Sequence, residues 1–303
     1  MFDRIVIAVD GSDESSHAAR RGIGLAQVLD ATVDVLHVVP QKSLRLTQTA
    51  NERTRLRDRG EAALAEIEEL ASEIDYPVTT QLSEGKPAAQ ISEYAAEQDA
   101  DLIVIGRQGM TGLGKRLLGG VTEQVLHQSD VPVFVVPDTG QVPEEATGYG
   151  QVLIPTDGSE NAEVATQYGA TIAQPYDSDV HVLYVVDLQA AGGAFNAGGL
   201  EKEFIERLEA RGQEAVERIE NKIEDAAPDL DVLTAVERTK SFDGAAAGVR
   251  EYVENNDIDL VVMGSHGRSN LRRQLLGSVA SSVLRTIDVP VLIVKREMRE
   301  NDL

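Results

Sequence analysis

Cysteine and tryptophan are absent from the 303-residue chain, and lysine is scarce, with only seven residues. The lack of cysteine excludes disulfide bonds, thiolate catalysis and cysteine-based metal sites. The five histidines are scattered and form no HxxxH pair, so the sequence does not indicate a zinc enzyme. Long hydrophobic runs are missing as well, because stretches such as Leu102 to Ile105 have the length of a strand rather than of a membrane span.

The remaining composition is that of a globular protein with room for two domains. Hydrophobic residues make up 42% of the chain, and 303 residues allow two cores of ordinary size. The chain begins Met1-Phe2-Asp3-Arg4 and enters a predicted strand at once, without the apolar segment of a secretory signal. We therefore expect a cytoplasmic protein with no membrane partner.

The charge balance is strongly acidic, with 51 acidic residues against 28 basic ones and a formal net charge of −23. Such a charge argues against a broad binding surface for nucleic acid or for an anionic membrane. An acidic mesophilic protein and a protein adapted to a salt-rich cytoplasm both fit, since salt screens repulsion between carboxylates. The scarcity of lysine favours the second interpretation, a halophilic source.

The chain contains an internal repeat. The segment Ile5 to Ser12 returns as Val152 to Ser159 at an offset of 147 residues. Residues 104–136 match residues 262–294 without a gap at an offset of 158, and 15 of these 33 positions are identical. A repeat of this kind dictates the architecture, and the change in offset gives the second copy about eleven extra residues. We place them in the Gly/Ala-rich stretch from Ala190 to Gly199.

Each copy alternates strands with helices. In the first copy we predict strands at 3–9, 33–39, 77–82, 101–105 and 132–136, and helices at 12–29, 51–74, 87–98 and 120–128. The strands are continuous Val/Ile/Leu runs, which is typical of parallel strands covered on both faces. The predicted fold class is α/β, with two doubly wound, five-stranded parallel-sheet domains of Rossmann-like type in a pseudo-twofold tandem. The domains span 1–140 and 150–297, and 141–149 form a linker.

Glycine-rich loops follow the fourth strand of each copy. Gly264 and Gly267 precede Gly277-Ser278 by the same spacing at which Gly106 and Gly109 precede Gly119-Gly120. Glycines let backbone N–H groups approach phosphate oxygens, and the helix that opens at the second pair offers a positive dipole end. Glycines can also serve only tight turns. Because both loops are paired with an Asp-Gly-Ser turn after the first strand, we favour phosphate binding, with Ser278 as helix cap and hydroxyl ligand.

The pattern Gly-x2-Gly-x9-Gly-Ser, followed by Val-Pro-Val, resembles the ATP-binding universal stress protein family over about residues 2–137 and 150–296. The resemblance implies ATP between the first and fourth strands of each domain, possible Mg²⁺ or Mn²⁺ with it, Asp157 at the ribose or the metal, and Val185 at the adenine. The residues that it assigns to the second site are Pro155, Thr156, Asp157, Val185, Met263, Gly264, His266, Gly267, Arg268, Gly277, Ser278, Val279 and Ala280. Those assigned to the first site are Asp10, Val38, Gly106, Gly109, Gly119, Gly120, Val121 and Thr122.

The two copies depart from this pattern in different ways. The first has Gly120 where the motif has serine, although Thr122 lies two residues on. The second lacks Gly-x-Pro after its third strand, where Asp243-Gly244-Ala245 replaces Gly85-Lys86-Pro87. We therefore expect the second domain to be the better phosphate binder.

Other motifs are weaker. Gly109-x4-Gly114-Lys115 is followed by Arg116 rather than by the Ser/Thr that a P-loop needs for Mg²⁺. A Rossmann GxGxxG is absent, which disfavours NAD. His266 fits a general base, but a loop histidine that hydrogen-bonds backbone or ligand is the favoured interpretation.

Three functions are compatible with these features. We favour an ATP-binding stress-response regulator; a non-nucleotide-binding interaction module and a slow ATPase are the alternatives. The last strands, 131–136 and 289–294, are hydrophobic sheet edges that invite pairing. We expect an intrachain pseudo-dimer through these strands, and association of two chains into a homodimer is compatible with it.

Overall fold

A computed structural model describes residues 2–41, 50–110, 117–137, 148–189, 202–267 and 276–296. The chain divides into two compact units, Met1–Thr147 and Gly148–Leu303. The boundary falls within the predicted linker, of which residues 141–147 lie outside the described ranges.

The first unit alternates strands and helices, as predicted. Its elements are β1 (Arg4–Val9), α1 (Asp13–Leu29), β2 (Thr32–Pro40), α2 (Ala50–Glu73), β3 (Val78–Gly85), α3 (Pro87–Glu97), β4 (Leu102–Gly106), α4 (Gly120–Gln128) and β5 (Val133–Val136). The strands pair in parallel in the order β3-β2-β1-β4-β5. Helices α1 and α2 contact each other on one face of the sheet, and α3 and α4 contact each other on the other face.

The second unit repeats this arrangement. Its elements are β6 (Gln151–Thr156), α5 (Glu160–Glu163), α6 (Ala165–Ala173), a 3₁₀ turn (Gln174–Tyr176), β7 (Asp179–Asp187), α7 (Lys202–Ala226), β8 (Val232–Thr239), α8 (Ala245–Asn255), β9 (Leu260–Gly264), α9 (Ser278–Thr286) and β10 (Val291–Val294). The parallel order is β8-β7-β6-β9-β10. In both units the strand order reverses between the first and fourth strands, which creates a switch point at the carboxyl edge of the sheet.

The strands β1, β4, β6 and β9 are buried along almost their whole length, but β3 and β8 are not. Burial alternates along β3 and is only partial along β8, so these strands expose one face. The expectation that every strand is covered on both faces is therefore wrong for them. Each of them lies at an end of the strand order and has a strand neighbour on one side only.

The extra residues of the second unit are not concentrated in one insertion. The connection before α7 spans 188–201 against 41–49 in the first unit, which accounts for five of the eleven. Residues 240–244 replace the single residue 86 between the third strand and the following helix, which accounts for four more, and α7 with the connection after it adds the rest. Placing all eleven at 190–199 is therefore wrong; those residues themselves lie outside the described ranges.

Candidate functional site

The Asp-Gly-Ser turn after the first strand of each unit is closed by its aspartate. Asp157 Oδ1 accepts hydrogen bonds from Ser159 N at 3.0 Å and from Ser159 Oγ at 2.6 Å. Asp10 Oδ1 accepts from Ser12 N at 3.0 Å and from Ser12 Oγ at 2.5 Å. One oxygen of each carboxylate thus fixes its own turn and leaves the second oxygen for another partner.

That second oxygen lies against the glycine loop. A Cβ atom added to Gly267 would stand 2.2 Å from Asp157 Oδ2, and one added to Gly109 would stand 2.2 Å from Asp10 Oδ2. In the first unit Asp10 Oδ2 also accepts from Met110 N at 2.9 Å. Neither glycine has a positive φ, so close approach of the turn to the loop is what requires glycine here. This aspartate–glycine contact joins the two loops that form the switch point.

The helix after each loop is anchored by the glycine that precedes it. Gly277 N donates to Ser265 O at 2.9 Å, and Gly119 N donates to Arg107 O at 2.8 Å. Gly277 is the residue before α9 and makes no side-chain cap bond, while Ser278 is the first helical residue. The expectation that Ser278 caps the helix is therefore wrong, because its side chain lies inside the first turn. Its hydroxyl and the unpaired N–H groups of that turn are left for other partners.

A cavity of about 300 Å³ lies at this point of the second unit. It falls within the size range of small-molecule sites. Twelve of the thirteen predicted residues of the second site line it: Pro155, Thr156, Asp157, Val185, Met263, Gly264, His266, Gly267, Gly277, Ser278, Val279 and Ala280. Arg268 lies outside the described residues. The residues predicted from the sequence thus come from four separate segments that the fold brings to one cavity.

His266 presents an unused ring nitrogen at the cavity. Its Nδ1 lies 2.9 Å from Ser265 Oγ, whereas its Nε2 is buried and has no hydrogen-bond partner among the described residues. When the serine hydroxyl donates to Nδ1, a neutral ring carries its proton on Nε2. A buried N–H donor without a partner costs free energy, so a ligand oxygen in the cavity would stabilise this arrangement.

Five lining residues were not expected from the sequence: Ala162, Leu183, Ala245, Val249 and Ser265. Ala245 and Val249 lie on α8 and form a wall of the cavity near Val185. The helix packs closely against this valine, since a Cβ atom on Gly248 would stand 2.6 Å from Val185 Cγ1. This helix begins after Gly244, whose φ of 59° and ψ of −143° only glycine adopts readily. The missing Gly-x-Pro thus has a local substitute. Topology could have predicted these two lining residues, because the helix after the third strand starts at the same sheet edge as the glycine loop.

The first unit brings its predicted residues to the same edge with different contacts. Thr122 is buried and its hydroxyl donates to Gly106 O at 2.8 Å, so the threonine braces the loop. It is not an exposed replacement for the serine that is absent at Gly120. Val38 is buried within β2, and Val121 is exposed on α4. Of the loop itself, residues 111–116 lie outside the described ranges, including Lys115 and Arg116.

A buried histidine stands next to the aspartate of the first unit. Burial lowers the pKa of His37 below its ordinary value, and the nearby Asp10 carboxylate and a hydrogen bond to Val9 offset this only in part. The corresponding position in the second unit is Tyr184, a phenol in place of the imidazole. The two sites therefore differ in titratable groups as well as in loop contacts.

Carboxylates are sparse at the cavity. Asp157 is the one carboxylate among its described lining residues. The described part of the chain holds no group of three or more His, Asp or Glu side chains placed to hold a metal ion. Nor does any helix among the described residues have the length and apolar character needed to cross a membrane.

Fold and site together define a two-domain α/β protein with a cavity at a switch point, and comparison with known proteins identifies its family. The model of the Universal stress protein family matches residues 1–137 and 148–295. The chain therefore belongs to the universal stress protein family, as a tandem of two domains.

Relatives include both tandem and shorter proteins. A universal stress protein of Mycolicibacterium smegmatis is 28% identical over 301 residues, covering 96% of each chain. Universal stress protein MJ0531 of Methanocaldococcus jannaschii is 34% identical over 153 residues, which is 50% of this chain and 85% of that protein. The crystal structure of a universal stress protein from Archaeoglobus fulgidus matches with a TM-score of 0.71 at 20% identity, covering 97% and 96% of the two chains. This last likeness concerns the fold alone.

Proposed function

We propose that this universal stress protein binds ATP in the cavity of its second unit. The observation that carries the proposal is the convergence of a glycine loop, a helix N-terminus and a buried, unpartnered histidine nitrogen on one cavity at the switch point. The triphosphate lies at the start of α9 and along Gly264–Gly267. The adenosine lies toward Val185, where Leu183, Ala245 and Val249 make the wall apolar.

The charges at this end of the sheet favour an anion despite the acidity of the whole chain. The first turn of α9 supplies N–H groups and a positive dipole end, and His266 Nε2 adds a further donor. Such short-range donors act at contact distance, whereas repulsion from surface carboxylates is screened beyond about 10 Å at 0.1 M salt. We assign Asp157 to a ribose hydroxyl or to a Mg²⁺ or Mn²⁺ ion that arrives bound to ATP.

The protein's role in this proposal is that of a cytoplasmic, nucleotide-dependent regulator of a stress response. The described lining of the cavity supplies donors for phosphate. Its one Ser–His contact, Ser265 Oγ to His266 Nδ1, lacks a third group that orients the histidine, since Nε2 has no partner among the described residues. Binding with little turnover is the behaviour that such a site supports. Phosphate release measured over many hours, alongside binding, distinguishes a regulator from a slow ATPase.

Equilibrium titration with labelled ATP and Mg²⁺ tests the proposal. Ser278→Glu places a carboxylate at the start of α9, where it suits the helix dipole but repels phosphate. We expect saturable binding by the wild type and at least about a tenfold weaker affinity in Ser278→Glu. Gly24→Glu, at an open position of α1, adds the same charge elsewhere and serves as the control. Absence of saturable binding by the wild type would reject the proposal.

Cyclic AMP as a competitor separates the adenosine contribution from the triphosphate contribution. It shares the adenosine but carries a single phosphate, so it cannot occupy the whole donor set of the loop and helix. We expect it to displace ATP only at a higher concentration than ATP itself. Equal potency would place the recognition on the adenosine rather than on the glycine loop.

The assembly proposed from the sequence, an intrachain pseudo-dimer through the last strands with possible association of two chains, is tested by mass. One chain has a mass of 32.7 kDa. Sedimentation at that mass supports a chain that pairs its two last strands internally. Sedimentation at twice that mass supports the homodimer.

A further inference from the structure

The first turn of α1 carries a glutamate that contacts the glycine loop of the first unit. Glu14 Oε1 accepts a hydrogen bond from the backbone N–H of Gln108 at 2.7 Å. Its stem lies over the first glycine of the loop, since a Cβ atom on Gly106 would stand 3.2 Å from Glu14 Cγ. A carboxylate of the chain itself therefore occupies a loop N–H of the kind that would hold a phosphate oxygen.

In the second unit the corresponding side chain donates a hydrogen bond to the glycine loop. Asn161 stands where Glu14 stands in the first unit, at the repeat offset of 147 residues. Its amide Nδ2 donates to Gly267 O at 3.3 Å, so a neutral side chain here presents a donor to a loop carbonyl. No described residue accepts a hydrogen bond from the N–H of His266, which corresponds to that of Gln108. The N–H of His266 is therefore left to a ligand.

The charges of Glu14 and Asn161, like their hydrogen bonds, disfavour ATP in the first unit and not in the second. A carboxylate at the glycine loop repels a triphosphate at contact distance, and a neutral amide does not. Each unit has its own aspartate in this turn, Asp10 or Asp157, so the aspartates do not distinguish the two units. The loop contact of Glu14 adds a second acceptor beside Asp10, which already accepts from Met110 N.

From these contacts we infer that Glu14 closes the first unit to nucleotide by occupying its glycine loop, and that Asn161 is the residue that keeps the second loop open. The inference rests on the proposed function of the second site. It makes residue 14 and its counterpart the specificity-determining pair of the tandem, and it predicts one ATP site per chain. A merely structural role for Glu14, as an acidic residue in the first turn of α1, would stabilise the helix without affecting nucleotide binding.

Equilibrium dialysis of the full chain with radiolabelled ATP tests the inference through a matched pair, Asn161→Glu and Asn161→Gln. The two variants have the same side-chain length and differ in charge. We expect Asn161→Glu to weaken ATP binding at least about tenfold and Asn161→Gln to stay within about threefold of the wild type. Equal affinities of the two folded variants would overturn the inference.

The reverse change supplies the second arm. In a Ser278→Glu background, where the second site is weakened at least about tenfold, we expect only that weakened binding with Glu14 present and an additional, tighter site in Glu14→Asn. If Asn161→Glu fails to fold, as judged by circular dichroism, this arm decides. Binding of ATP by the Ser278→Glu single variant with the wild-type affinity, or two equal sites in the wild type, would overturn the inference and leave the proposed function intact. No binding by the wild type overturns both.

Discussion

Replacing Gly267 by alanine tests the contact that joins the turn to the glycine loop. The new Cβ atom would stand 2.2 Å from Asp157 Oδ2 and 3.2 Å from its Cγ, far inside van der Waals contact. The carboxylate is the movable partner, so we expect it to rotate away. The rotation would break the hydrogen bonds from Ser159 N and Ser159 Oγ, which measure 3.0 Å and 2.6 Å.

The cost follows from those two bonds. Hydrogen bonds to a charged group contribute about 1.5 to 3 kcal/mol each when they are well shielded from water. Asp157 is half-buried, and water replaces part of what is lost. We therefore expect Gly267→Ala to lower the free energy of unfolding of the second unit by about 1 to 3 kcal/mol, and to weaken ATP binding as well.

Urea denaturation followed by circular dichroism measures this cost, with each transition fitted separately because the chain has two units. A double-mutant cycle with Asp157→Ala isolates the cause, since the alanine at 267 has nothing to displace once the carboxylate is gone. Gly24→Ala is the control, because no atom lies within 4 Å of its new Cβ and helix propensity favours the change by up to about 1 kcal/mol. A cost of Gly267→Ala that persists undiminished in the Asp157→Ala background would refute the reasoning.

Three further predictions concern other parts of the molecule. His266→Phe should weaken ATP binding about tenfold by removing the Nε2 donor, whereas His266→Gln should weaken it less; equal dissociation constants by calorimetry would contradict the role of this nitrogen. His181 is buried between Tyr252 and Gln151, and burial lowers its pKa, which the Asp179 carboxylate offsets only in part. The unfolded chain therefore takes up a proton first as the pH falls below about 6.5, so stability declines there, and His181→Gln should flatten this decline in thermal melts; an unchanged slope would contradict it. The net charge of −23 should make the melting temperature rise with KCl between about 0.1 and 1 M, since the Debye length shortens from about 10 to 3 Å, and a constant or falling value would contradict both the screening argument and the halophilic interpretation.

Local sequence patterns were sufficient to predict the fold. The helix predicted at 120–128 is α4 with the same bounds, and apolar runs located the central strands to within about one residue. The third strand was predicted to end at 82 but continues to Gly85. Its last residues are polar, and they are held as strand by parallel pairing with β2 up to Pro40. Pairing with a neighbour is a tertiary effect that the composition of the segment does not reveal.

The candidate site was predictable where a motif marked it and not where packing decided it. Glycine spacing located the loop at Gly264 and Gly267, because close approach of backbone to another group demands glycine. Ala245 and Val249 carry no such mark; they reach the cavity because α8 starts at the same sheet edge as the loop. Glu14 resembles an ordinary first-turn acid in sequence, and only its bond to the Gln108 N–H reveals a second role.

A crystal structure of the full chain soaked with ATP and Mg²⁺ tests the central claim most directly. The account predicts triphosphate density between Gly264–Gly267 and the start of α9, within hydrogen-bond distance of His266 Nε2, with adenine toward Val185. It predicts no nucleotide density at Gly106–Gln108 of the first unit, where Glu14 holds the loop. An empty second cavity at saturating ATP, or nucleotide bound at the first loop with Glu14 in place, would contradict it.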